Sequence, residues 1–126
     1  MDKHELQERL TAFAVRIIRM VDAMPNTLGS QTIAHQVVRS GTSPAANYKA
    51  ACLAKSDKDF LNKLKMVEDE LDETCHWLDM TIRSQSLPPS RVEPLYQECK
   101  ELLSIIVKSI KTVKARLKAD SLVNTK

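Results

Sequence analysis

Apolar side chains recur along this chain at steps of three and four, in four separate stretches, and that spacing confines it to helices. An α-helix turns 100° per residue, so such steps draw one apolar stripe along a single face, whereas a half-buried strand needs strict alternation. Residues 2–24 carry the stripe as Leu6, Leu10, Phe13, Ile17, Met20, Val21 and Met24, and Arg9, Arg16 and Arg19 stay off it. Pro25 disfavours helical geometry in the residue before it, which ends the first helix close to Met24. Only 2 Gly and 5 Pro occur in 126 residues, too few turn residues for an all-β fold of many short strands.

The second stretch, about 28–54, places Ile33, Ala34, Val37, Gly41, Ala45, Tyr48, Ala51 and Cys52 on one unusually small face. Gly41 suits a helix C′ position, Ser43 an N-cap and Pro44 the first position of a restarted helix, so a kink or short break is expected at Ser40 to Ser43. Ser56-Asp57-Lys58-Asp59 reads as an N-cap followed by acids that the helix dipole favours. The third helix then runs through Phe60, Leu61, Leu64, Val67, Leu71, Cys75, Leu78 and Ile82. Ser90 and Glu93 have the spacing of a capping box opening a fourth helix, with Pro94 in its first turn. That helix continues to about Ala119, with residues 120–126 expected to fray. Four amphipathic helices on short connections make an all-α, antiparallel up-down-up-down bundle, one domain over residues 1–126 with an ordered core of about 2–119. No apolar stretch is long enough for a membrane span and the polar start resembles no secretory signal, so the expected location is the cytoplasm.

Chemistry that needs a built site finds little support. Glu73 and His76 have the spacing of a di-iron bundle ligand pair, but a second such pair and two further inward glutamates are missing. Cys52, Cys75 and Cys99 are odd in number and widely spaced, and they read as reduced thiols at or near the core, not a disulfide framework or zinc site. No glycine-rich phosphate loop or nucleophile elbow occurs. The expectation is a protein that is not an enzyme and takes no cofactor or metal.

Charge is the more informative signal. The net charge is +3, unevenly spread. Residues 25–55 hold Arg39, Lys49 and Lys55 and no acid, residues 56–84 hold eight acids against four bases, and residues 85–126 hold eight bases against four acids. Lys108, Lys111, Lys114 and Lys118 fall within about 120° of arc on the fourth helix, with Arg116 at the edge. A phosphate backbone tracking such a ridge would bind without base preference and with steep salt dependence. The same ridge, left to itself, is a solvated helix face or a surface that meets the acidic third helix of a neighbouring subunit. Phe13, Phe60 and Trp77 suit packing, leaving Tyr48 and Tyr96 for base stacking.

Residues 33–43 (Ile-Ala-His-Gln-Val-Val-Arg-Ser-Gly-Thr-Ser), then Ala45-Ala46-Asn47-Tyr48, Ala54-Lys55-Ser56-Asp57-Lys58-Asp59-Phe60, Lys63-Leu64, Glu70 to Thr74 and Trp77-Leu78 resemble the four-helix-bundle proteins encoded in intervening sequences of large-subunit ribosomal RNA genes. The resemblance implies an antiparallel bundle that assembles into a homo-oligomer, a pentameric ring. The chain is similar also to the accessory variability proteins of diversity-generating retroelements, basic rings that bind nucleic acid and a reverse transcriptase. Its matched polar positions are Arg39, Ser43, Asn47 and Asp59, while Pro44 and Ala50 depart from the family pattern. Ser43 and Asp59 are candidate caps, Asn47 a partner for backbone or a neighbouring helix, and Arg39 a surface contact. The expected function is RNA or other nucleic-acid binding by a homo-oligomer through Arg39, Lys49, Lys55, Lys108, Lys111, Lys114, Arg116 and Lys118, with a protein-interaction scaffold as the alternative.

Overall fold

A computed structural model describes residues 1–124 of the chain. Among them are four helices and no strand: α1 (Lys3–Asp22), α2 (Leu28–Cys52), α3 (Asp57–Arg83) and α4 (Pro89–Asn124). Each helix packs on the next, α4 returns against α1, and the backbones of the diagonal pairs do not approach closely, which is the up-down-up-down arrangement. The stripes point inward together, so Phe13, Ile17, Val37, Leu64, Leu71, Leu78, Leu102 and Ile106 form one continuous core. Full burial of side chains of this size stabilises the fold by roughly 1.5–3 kcal/mol each.

Three N-termini are capped by side chains: Asp2 accepts from the Glu5 N–H, Thr27 from Ser30 and Ser56 from Asp59. Ser56 is thus the cap of α3, and Asp59 instead pairs with Lys63 one turn on, at 2.8 Å. The fourth start differs from expectation. Proline at the first position of a helix forfeits an N–H that has no partner there anyway, and α4 begins at Pro89, with Arg91 donating to the Pro88 carbonyl at 2.9 Å. Ser90 therefore lies inside the first turn, and Ser90 and Glu93 form no capping hydrogen bond among the described residues. At the other end α4 remains helical to Asn124, beyond the expected stop near Ala119; the rest of the expected frayed tail, residues 125–126, lies outside the described residues.

The expected interruption of α2 is also absent, and the helix runs unbroken from Leu28 to Cys52, packed tightly against its neighbours. Pro44 cannot donate to the Ser40 carbonyl. Thr42 Oγ1 donates to the Val38 carbonyl at 2.6 Å and Ser43 Oγ to the Arg39 carbonyl at 2.6 Å, so the hydroxyls hold the preceding turn. Gly41 does not adopt a left-handed conformation. It is glycine because α1 leaves no room: a Cβ there would sit 2.9 Å from Ile17 Cγ1 and 3.0 Å from Cγ2. Ser40, fully buried, shares a 2.9 Å hydrogen bond with Thr74 of α3. The small face of α2 is a tight seam inside the bundle.

Candidate nucleic-acid interface

At one end of the bundle α1 begins, α2 ends, α3 begins, and α4 runs past all three. Arg116 donates to Asp57 Oδ1 at 3.3 Å, which places the start of α3 beside residue 116. The residues of α4 after it extend about 12 Å further at 1.5 Å per residue. Lys108, Lys111, Lys114 and Lys118 are all exposed, and none has a carboxylate within salt-bridge distance among the described residues. Lys49, in the last turn of α2, and Lys55, just after it, are exposed and unpaired at the same end.

Lys55 and Arg116 border one small hollow of this end, and Lys108 and Arg116 border a larger groove of about 440 Å³ with Met1, Leu6, Tyr48, Phe60 and Ile105. Lys3 borders both, its Nζ 4.6 Å from the centre of the Phe60 ring. Lys3 escaped the sequence reading because charge in residues 1–24 balances; only the return of α4 to the start of α1 makes it part of a basic surface.

Two of the eight expected contact residues are engaged otherwise. Arg39 lies in the middle of α2 and reaches across to Glu70 at 3.1 Å and to Glu73 of α3, with Glu73 also accepting from Trp77 Nε1 at 3.2 Å. Arg116 lies on the flank of α4 turned toward α1 and the start of α3, where it shares a groove with Lys108 at the edge of the lysine ridge. The Arg39 pairing also draws two carboxylates of the acidic third helix into the bundle surface. Ser43 is not a cap but a mid-helix hydroxyl bonded to the Arg39 carbonyl, and the Asn47 side chain forms no hydrogen bond among the described residues. Tyr48 is buried and offers no ring for stacking, whereas Tyr96 remains half-buried with Lys100 Nζ 5.2 Å from its centre. Removal from water pushes the Tyr48 phenol's pKa above its ordinary value.

The contact between α1 and α4 is the sparsest in the bundle. It is held by Arg9, whose Nε and Nη2 donate to Glu98 at 2.8 and 2.7 Å while Nη2 also reaches Glu101 at 2.9 Å. These bonds, that to Glu98 first, hold the guanidinium's proton more tightly than usual. Between α3 and α4, Cys75 Sγ lies 3.2 Å from Cys99 Sγ, and Cys99 donates on to the Leu71 carbonyl at 3.2 Å. Hydrogen bonding with Cys99 lowers the Cys75 pKa, and the same contact together with burial raises that of Cys99. Widely spaced cysteines gave no sign of this pairing; facing stripes on consecutive antiparallel helices bring them together. No group of three or more His, Cys, Asp or Glu side chains suited to holding a metal ion occurs among the described residues, and no helix there is long and apolar enough to cross a membrane.

The fold and this end define a class of protein, the antiparallel four-helix bundle, here with a last helix that outruns the others and carries a solvated lysine ridge. Residues 2–108 match the 23S rRNA-intervening sequence protein family, and the chain belongs to it. It is similar to a crystal structure from Bacteroides thetaiotaomicron, a protein with unknown function from the S23 ribosomal protein family, at 31% identity and a TM-score of 0.81 over 88% of this chain and 99% of that one. No curated protein matches the chain. The family match stops at residue 108, so Lys111, Lys114, Arg116 and Lys118 lie beyond it.

Proposed function

We propose that this chain is a non-enzymatic, homo-oligomeric bundle of the cytoplasm that associates with RNA or another nucleic acid through the basic end formed by Lys108, Lys111, Lys114 and Lys118 with Lys49 and Lys55. The observation that carries the reading is that all six ammonium groups are exposed and lack carboxylate partners among the described residues, four of them on α4, whose last turns project past the start of α3, and two at the end of α2 beside it. Solvated, uncompensated lysines are the groups that release counterions when a phosphate backbone replaces the salt around them. The family's name ties its members to 23S rRNA intervening sequences, which supports association with RNA, and the resemblance carried by residues 33–78 implies assembly as a pentamer.

Filter binding to a structured RNA at two salt concentrations tests this. Retention should fall steeply with salt, with a slope of log K against log salt of about −3 to −5 for four to six contacted phosphates. Lys111→Glu with Lys114→Glu should weaken retention by about tenfold or more while leaving native mass unchanged. Unchanged RNA retention with an altered native mass would instead assign the ridge to subunit assembly, the scaffold reading. Absence of binding at low salt would end the nucleic-acid proposal.

A further inference from the structure

The seven arginines of this chain divide into two groups. Arg9, Arg39, Arg83 and Arg116 each pair with at least one carboxylate. The guanidinium groups of Arg16, Arg19 and Arg91 have no carboxylate or hydrogen-bond partner among the described residues. These three are also the cations that line a single cleft of about 200 Å³ between the second half of α1 and the start of α4, at the end of the bundle opposite the lysine ridge. The rest of its lining is Met20, Leu87 and Leu95, with no acid. Gathering three like charges around one cavity is unfavourable for the isolated protein, and Arg91 adds to the cost by standing in the first turn of α4, where the helix dipole repels cations. No acidic residue occupies that turn to offset it. The arrangement becomes favourable once an anion enters.

We infer that the Arg16, Arg19 and Arg91 cleft is a binding site for a phosphate group. Guanidinium groups donate paired, planar hydrogen bonds that match phosphate oxygens, and the apolar floor strengthens those bonds by keeping high-dielectric water to one side. Three cations favour phosphate over a carboxylate. A carboxylate brings one charge on two oxygens, whereas a phosphate monoester brings nearly two on three. The anion site itself stands without the nucleic-acid reading; only the source of the phosphate, a free ion or a polynucleotide, rests on that reading.

The test follows the arginine Nε–H signals of the full-length protein by NMR during titration with inorganic phosphate, with acetate at equal ionic strength as the control. The signals of Arg16, Arg19 and Arg91 should move together and saturate with phosphate and not with acetate, while those of Arg9 and Arg39 stay still. Arg16→Gln with Arg91→Gln should weaken phosphate binding by about tenfold or more, with an unchanged or higher melting temperature because repulsion is relieved. Equal shifts with acetate, shifts spread over all seven arginines, or phosphate binding that survives the double substitution would overturn the assignment. Short RNAs with and without a 5′-phosphate then distinguish the sources: preference for the phosphorylated strand marks a terminal phosphate, and equal binding lost in the double variant marks internal phosphodiesters. Phosphate binding without any RNA binding leaves the cleft standing as a site for a free phosphate ion and removes the nucleic-acid reading alone.

Discussion

Between α1 and α2 the helices approach so closely that Gly41 has no room for a methyl group against Ile17; between α1 and α4 one arginine clamp holds the middle, with a cationic cleft on one side of it and an open groove on the other. The remaining two seams are closed like the first, by Ser40 with Thr74 and the Arg39 pairs between α2 and α3, and by Cys75 with Cys99 between α3 and α4. The contrast separates two demands on one small protein. Dense packing supplies stability but removes surface, whereas a recognition site for a polyanion needs cations that are solvated, unpaired and within reach of one another. Here the closed seams supply the first, and the α1–α4 side with its overhang supplies the second. Stability and ligand binding should therefore respond to different substitutions.

The largest effect on that contrast should come from opening a closed seam. Gly41→Val drives two methyl groups into Ile17 and should lower unfolding free energy by about 2–3 kcal/mol, read as an earlier urea midpoint at constant slope. A loss below about 0.5 kcal/mol would mean that the α1–α2 contact is not tight. Next in size is the clamp of the open seam: Arg9→Met leaves the half-buried Glu98 carboxylate without its two charge-assisted hydrogen bonds and should cost about 1–2 kcal/mol, with native mass and phosphate binding by the arginine cleft retained. If it unfolds the protein outright, the fourth seam is as essential as the other three.

Two smaller effects use ionisation. Tyr48 borders the groove of the open seam, yet its ring is buried. Its folded-state pKa lies above the ordinary value of 10.0, so the unfolded chain releases the proton first. The stability it contributes is present below pH 10.0 and is lost as pH rises from there through the folded-state value. Urea midpoints at about pH 8 and about pH 11 should differ more for the native chain than for Tyr48→Phe; equal shifts would place the phenol in water. Last, the closed α3–α4 seam should divide its two thiols by reactivity without any change in fold. Cys75 is half-exposed with a lowered pKa, Cys99 is buried with a raised one, and iodoacetamide near pH 8 should label Cys75 well before Cys99, as located by mass spectrometry of peptides. Labelling in the reverse order would contradict the geometry of that seam.

The periodic stripes, the proline after Met24, the Ser56 cap and the phase of the four α4 lysines are all properties of residues within a turn or two of each other, and they were enough to determine four helices, their faces and the presence of a basic ridge. The continuity of α2 was not available in that way, because whether Ser40 to Pro44 breaks a helix depends on Ile17 and Thr74, which only packing supplies. The same holds for charge. Sequence shows that Arg39 and Arg116 are cations, but partners 31 to 59 residues away decide that they are paired while Arg16, Arg19 and Arg91 are not. Local spacing determines conformation through short-range sterics and hydrogen bonds; whether a charge is neutralised or left for a ligand is decided across helices, where tertiary structure alone sets the distance.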